Sequence, residues 1–292
     1  MVGELDDFRA GRWTRWFPAP GKLNLLLKVI GRRADGYHDL QTVFQFIDYC
    51  DQISFRGRGD QDIVRVGEIE GVPAEQDLVV KAAKLLRDRG GAGKGAEIKV
   101  QKNLPMGGGV GGGSSDAATT LCVLNKLWEL NLSLNELMDI GGLLGADVPV
   151  FIKGVAAWAE GVGDKLTPLN LSEPWYVVIV PGCHVSTRDI FSDPELTRDS
   201  IPITISGFVS GRHRENDCRS LVVSKYDAVG RALKALSVYG EARLTGTGAC
   251  VYAEFPEKER AEQAKNGLMA DWSCFVAKGL NSSPILESVS GL

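Results

Sequence analysis

Between Leu104 and Asp116 the chain reads LPMGGGVGGGSSD, six glycines within seven positions, then two hydroxyl residues and a carboxylate. Glycine loses more conformational freedom on folding than any other residue, so a cluster this dense requires a local reason. The stretch before it, AEIKVQKNLP, alternates apolar and polar residues and predicts a strand ending at Pro105. The stretch after it is rich in apolar helix formers and predicts a helix from about Ser114 to Leu130. A glycine loop feeding a helix start is an anion site in principle, because the first helical N–H groups lack partners and the macrodipole favours negative charge. Glycines also let the backbone approach a phosphate closely. A flexible turn would explain the glycines but not their place ahead of an amphipathic helix.

The rest of the chain bounds what such a loop serves. It has 292 residues, 44% hydrophobic and 24% charged, an ordinary globular composition with length for two domains or one large one. A net charge of −4 without a long basic run argues against nucleic acid as the main partner. The six cysteines are scattered and form no CxxC pair, so neither a disulfide framework nor a zinc site is expected, and a reducing compartment fits. The opening MVGELDDFRAGRW is acidic and polar, unlike a signal peptide, and no apolar run reaches membrane-spanning length. A cytoplasmic protein, monomeric or weakly dimeric and without a membrane partner, is the expectation.

Pattern along the chain predicts a loose polar lead over 1–15 and a buried strand, LNLLLKVIG, after Lys22. QTVFQFID and QISF read as two strands joined by a turn at Tyr49–Asp51, and IVRV as another. Asp77 is a candidate N-cap for a helix, LVVKAAKLLRDRG, closed by Gly90, with a flexible GGAGKG loop after it. Ser133 is predicted to cap a second helix, LNELMDIGGLLG, from which ADVPVFI breaks out as a strand, followed by a strand in VAAWAEG. The turn-rich NLSEP marks a domain boundary, dividing the chain into 1–168 and 169–292. The second part opens with a strand, WYVVIV, and continues with helices near 187–192, 217–237 and 256–267 alternating with strands ARLTG, CVYAEF and SCFVAK. The mixture predicts an α/β or α+β protein of two domains.

The loop is not a Walker A motif, because no lysine follows it, and the Gly93–Lys94–Gly95 triplet elsewhere lacks a following Ser or Thr. G-x-G-x-x-G registers occur in it, but any glycine run matches that pattern, and no acidic residue ends a second strand about 20 residues on. PGKLNLLL, LPMGGGVGGGSSDAA and LTGTGACVYAEF, in this order, resemble the three motifs of the galactokinase, homoserine kinase, mevalonate kinase and phosphomevalonate kinase (GHMP) superfamily. RADGYHDLQTVFQFIDY, LGADVPVF and FVAKGLNSSP are similar to the branch that phosphorylates a cytidine-diphosphate ester of methylerythritol. The resemblance runs from about Trp16 to Pro284, with Gly21 where the family usually has alanine and residues 1–12 as an extension.

The resemblance implies a two-domain GHMP fold with ATP and substrate in the cleft between domains, and transfer of the γ-phosphoryl group to an alcohol. That chemistry needs positioning, charge neutralisation and help in removing the hydroxyl proton. Asp147, between a helix end at Gly145 and Pro149, matches the catalytic aspartate, and Lys22 is its natural charge partner. Asn24, two residues on and so on the same face of a regular strand, is placed to hold the hydroxyl or a phosphate. Tyr37 and His38 match a cytidine pocket, with Phe191 as its second stacking ring. Asp77, Leu78 and Lys102 match the adenine region, though Asp77 reads equally as a helix cap and Lys102 as an exposed strand residue. Pro105, Met106, Gly107, Gly108 and Gly109, then Gly111, Gly112, Gly113, Ser114 and Ser115, form the expected phosphate loop. Mg2+ is expected on the ATP, with Ser115 a candidate protein ligand. The turn Thr245–Gly248 faces the substrate diphosphate, closes the site, or is a plain hairpin, while His184 and His213 show no metal-ligand spacing. A homoserine- or mevalonate-type kinase is the alternative, and a regulator without turnover a third possibility. The Tyr37–His38–Phe191 set distinguishes the first from the alternative, and Asp147 with Lys22 argues against the third.

Overall fold

A computed structural model of the chain describes residues 3–90 and 93–292, so part of the loop expected at GGAGKG and the first two residues of the expected polar lead lie outside it. Helix α1 (Glu4–Arg9) replaces a loose lead: its Phe8 is buried, and a side chain at Gly57 would stand 2.4 Å from the Phe8 carbonyl oxygen. Strands β1 (Phe17–Arg32) and β2 (His38–Arg58) then form a long antiparallel hairpin. The predicted turn at Tyr49–Asp51 is instead continuous strand. Asp51 belongs there because its fully buried carboxylate accepts the backbone N–H groups of Asn103 (2.6 Å) and Leu104 (2.8 Å).

β3 (Ile63–Val66), α2 (Leu78–Gly90) and β4 (Gly95–Gln101) lead into the glycine loop, which ends in α3 (Gly112–Leu127). α4 (Leu134–Leu144) carries the predicted Ser133 cap, with Glu136 accepting in return from the Ser133 N–H at 2.8 Å. ADVPVFI does not form a strand; it is the short buried helix α5 (Val148–Lys153). Pro149 sits in its first turn, where a missing N–H costs nothing, and Gly154 at φ +69° ends it. β5 (Ala157–Gly161), β6 (Lys165–Pro168) and β7 (Trp175–Val180) follow, then α6 (Thr187–Ser192) and α7 (Ile205–Val209). The single helix predicted over 217–237 is two, α8 (Arg219–Lys225) and α9 (Asp227–Leu236), separated at Tyr226 with φ −126° and ψ 86°. β8 (Arg243–Leu244), β9 (Val251–Phe255), α10 (Lys258–Leu268), β10 (Ser273–Leu280) and α11 (Pro284–Ser290) complete the described chain.

The strands form one mixed sheet in the order β3-β4-β2-β10-β7-β9-β8, with β1 and β5 also paired to β2 and β6 to β5. β2 and β10 meet only at Ile47–Gly279 and Phe46–Leu280, a narrow join between two broader parts. One core packs α2 and α3 on β1, β2 and β4, around Phe46, Phe55, Leu86 and Leu121. A second packs α9 and α10 on β7 and β9, around Val177, Leu236 and Val251. A third, with Leu23, Ile47, Tyr176 and Tyr252, bridges them beneath the glycine loop and includes Leu104 and Val110. Among the described residues no helix is long and apolar enough to cross a membrane.

Candidate active site

The middle of β1, the glycine loop, the start of α5 and the turn after β8 surround a cavity of about 450 Å³. β1 supplies Lys22 and Asn24 on one face, as period-two alternation requires. Lys22 is almost fully buried, and its ammonium has three acceptors: Asn24 Oδ1 at 2.5 Å, the Gly109 carbonyl at 3.1 Å and Asp147 Oδ2 at 3.2 Å. A buried ammonium needs such acceptors, since it has three protons and little contact with solvent. The Phe44 ring lies 5.3 Å away on a further side. Asp147 stands at the N-cap position of α5, half-exposed, so its other carboxylate oxygen is left to the cavity. Asn24 is fixed at both ends: its Nδ2 donates to Thr42 Oγ1 (2.8 Å) and its backbone N–H to Thr245 Oγ1 (3.0 Å).

The glycines answer two demands. Gly107, Gly109 and Gly111 have φ of +65°, +75° and +75°, a region costly for other residues. They also pack against other parts of the chain. A side chain at Gly108 would stand 2.6 Å from Cys250 Sγ, and one at Gly111 would stand 2.8 Å from the Phe151 ring. The carbonyls of Gly107 and Gly108 accept from the N–H groups of Ala249 (3.3 Å) and Cys250 (3.0 Å). The loop and the 245–250 turn are therefore one structure, and Gly246 and Thr247 line the cavity opposite the loop. Gly112, Gly113 and Ser114 line it at the start of α3, which has no side-chain cap.

Asp77, Leu78, Lys102, Pro105, Met106 and Phe191 also line this cavity. Asp77 does cap α2, accepting from the Val79 N–H at 3.0 Å, and pairs with Arg65 at 2.8 Å. Lys102 is not an exposed strand residue. It bridges Asp51 and Asp116, the latter at 2.7 Å. Burial pushes the Asp116 carboxyl well up, with Lys102 opposing and Asp51 reinforcing the rise. Ser115 departs from its expected role: it lies behind the cavity wall, and among the described residues its buried hydroxyl has no hydrogen-bond partner. Neither Tyr37 nor His38 is among the residues lining the cavity: Tyr37 is 61% exposed, and His38 is buried with its ring 5.2 Å from that of Phe191. Asp51 and Thr42 carry no sequence signal of their own. Asp116 closes the glycine motif, but nothing local distinguishes Asp51 from a turn residue. Among the described residues no group of three or more His, Cys, Asp or Glu side chains could hold a metal.

Residues 77–155 match the family model for the GHMP kinase N-terminal domain, and residues 210–273 the model for the GHMP kinase C-terminal region. The chain is 54% identical over 274 residues to the 4-diphosphocytidyl-2-C-methyl-D-erythritol kinase of Methylococcus capsulatus, covering 94% of each chain. It is 53% identical to the protein of the same name from Nitrosococcus oceani, over 93% of this chain and 96% of that one. A crystal structure of 4-(cytidine 5'-diphospho)-2C-methyl-D-erythritol kinase superposes with a TM-score of 0.79 at 27% identity, covering 91% of this chain and 99% of that one. A mevalonate kinase structure shares the fold at a TM-score of 0.68 and 14% identity, over 92% of this chain and 100% of that one. With both GHMP models matched and half its residues shared along nearly the whole length of these kinases, the chain is a phosphotransferase and belongs to the 4-diphosphocytidyl-2-C-methyl-D-erythritol kinase family of the GHMP superfamily.

Proposed function

We propose that this protein transfers the γ-phosphoryl group of ATP to the 2-hydroxyl of 4-diphosphocytidyl-2-C-methyl-D-erythritol, releasing ADP, as a step of the non-mevalonate (methylerythritol phosphate) route to isoprenoid precursors. The observation that carries the reading is the approach of Lys22 Nζ to Asp147 Oδ2, 3.2 Å, in the wall of the cavity that the glycine loop also lines. The two residues come from distant parts of the chain and meet where a nucleotide phosphate would lie. The names of the relatives support the substrate.

In this reading the ATP phosphates lie along residues 105–113, against the open N–H groups of Gly112, Gly113 and Ser114 at the start of α3. Asp147 accepts the proton of the attacking hydroxyl or orients it, while Lys22 faces Asp147 and neutralises charge on the transferred phosphoryl oxygens. Asn24, held rigid by Thr42 and Thr245, supplies its amide beside the same point. Asp147 and Ser114 are oxygen donors of the cavity wall and suit Mg2+ carried in on the nucleotide. When bound, that ion screens the charge of the β- and γ-phosphates. The part up to residue 168 thus carries the nucleotide loop and the Lys22–Asp147 pair, while residues 169–292 carry Phe191 and the turn behind the loop.

The test is ADP release with ATP, Mg2+ and 4-diphosphocytidyl-2-C-methyl-D-erythritol, against homoserine, mevalonate and galactose. Turnover with the cytidyl substrate alone is expected. Turnover with a control instead would keep the phosphoryl-transfer mechanism and overturn the substrate.

A further inference from the structure

Arg198, in the loop after α6, donates through all five of its N–H groups. Nη2 donates to the carbonyls of Phe191 (2.9 Å) and Asp193 (2.5 Å), and Nη1 to those of Leu196 (3.1 Å) and Pro194 (3.5 Å). The fifth, Nε–H, donates to His38 Nε2 at 3.0 Å. Four bonds thus fix the backbone that carries Phe191, and one reaches across to the start of β2. A guanidinium has no acceptor and keeps its protons at any working pH, so the bond to His38 can exist only if Nε2 carries a lone pair. A neutral imidazole must then bear its proton on Nδ1.

The place of His38 gives this consequence for binding. Leu40, Thr42 and Phe44 all line the cavity, and His38 precedes Leu40 by two residues on the same face of β2. His38 thus lies one step beyond that row, outside the cavity lining itself, and Phe191, which is in the cavity wall, covers it at 5.2 Å between ring centroids. His38 Nδ1 makes no hydrogen bond among the described residues, so its proton is available.

We infer that Arg198 is a positioning residue for the base-binding end of the site: it fixes His38 as a hydrogen-bond donor through Nδ1–H and holds Phe191 against it. This rests on the cytidine reading above. A fixed donor pairs with the ring nitrogen or carbonyl oxygen of cytosine, and the Arg198 bond to Nε2 keeps the imidazole in the tautomer that can donate there. Burial and the positive charges of Arg198 and Arg32 act in the same sense, holding the His38 imidazole below its ordinary value and so neutral.

Two variants separate the tautomer from the loop. In Arg198→Gln the amide can donate or accept, so His38 is free to take either tautomer, and the carbonyl bonds are lost. In Arg198→Lys the replacement still only donates, which preserves the tautomer while losing most of the carbonyl bonds. The imidazole 15N shifts of His38, read without substrate near neutral pH, are expected to show the Nδ1–H form in the wild type and Arg198→Lys, and a mixture in Arg198→Gln. The KM for the cytidyl substrate is expected to rise about three- to tenfold in Arg198→Gln, with the KM for ATP unchanged, and to rise less in Arg198→Lys. An Nε2–H or charged imidazole in the wild type would overturn the inference, even if neither variant folds. Equal rises in both KM values would also overturn it, because they would report general damage. Absence of wild-type turnover would count against the function proposed above, and is told apart from failure here because the tautomer is read on the free protein.

Discussion

The carbonyl oxygen of Thr245 lies where a side chain on Gly109 would begin: a Cβ there would stand 2.3 Å from it. Gly109 also has φ +75°, and its own carbonyl accepts from Lys22 and from the Thr245 hydroxyl. The atoms a Cβ would meet, the carbonyls of Thr245 and Gly248, are backbone and cannot move aside as a side-chain end could. Gly109→Ala is therefore expected to cost about 2 kcal/mol or more of stability from left-handed strain and the backbone clash together. It should also weaken ATP binding at least about tenfold, by displacing an acceptor that holds Lys22. Thermal unfolding and ATP titration of the variant check this. Wild-type values in both would mean that the loop does not depend on the turn behind it.

The glycine loop was legible in sequence because its density has few physical explanations, but its reason was only half legible. Positive φ and proximity to phosphate are local arguments. The contact of Gly108 and Gly109 with Cys250 and Thr245 joins residues about 140 positions apart, and no local pattern carries it. The helix at 148–153 was missed for a related reason. Val148, Val150, Phe151 and Ile152 are all buried, so the run has neither helical nor strand periodicity, and only the proline in its first turn favours a helix. Strand β2 was split because Asp51 reads as a turn residue until its partners Lys102, Asn103 and Leu104 are brought beside it. Lys22 and Asp147, by contrast, were identified from motifs, and the fold brings them to 3.2 Å.

Asp147→Asn keeps the size and the position at the start of α5 but removes the charge facing Lys22. The amide cannot accept a proton from the substrate hydroxyl. Turnover is expected to fall by about 100-fold or more. The ATP dissociation constant should stay within about threefold, because Lys22 retains Asn24 and Gly109 as acceptors. Single-turnover kinetics with an independent ATP titration separate the two. Comparable turnover in the variant would remove Asp147 from the chemistry.

Among the described residues Lys102 is the only cation whose side chain contacts Asp51, whose carboxylate is shut off from solvent. Lys102→Met leaves that charge with two backbone N–H groups and no counter-charge. The expected loss is about 3 kcal/mol of unfolding free energy, since breaking a buried pair strands the remaining ion. Adding Asp51→Asn to the variant should recover part of the loss, because the amide oxygen can still accept from Asn103 and Leu104. Denaturant unfolding of the wild type, the single and the double variant decides it. A loss below about 1 kcal/mol would mean that water reaches this cluster.

Asp116 gives the pH dependence. Burial raises its carboxyl to about 8, so the folded protein keeps a proton that the unfolded chain releases near pH 4. Stability from this group is complete below the unfolded value, and is lost as pH rises toward the folded one. Asp116→Asn has no such titration and keeps an amide oxygen for Lys102. The difference in unfolding free energy between variant and wild type should therefore move toward the variant by at least about 1 kcal/mol from about pH 5 to about pH 8. Carboxylates common to both proteins cancel in this difference. Urea unfolding of the pair at several pH values measures it. A flat difference would place the Asp116 carboxyl in the ordinary range and overturn the rise that its burial is argued to cause.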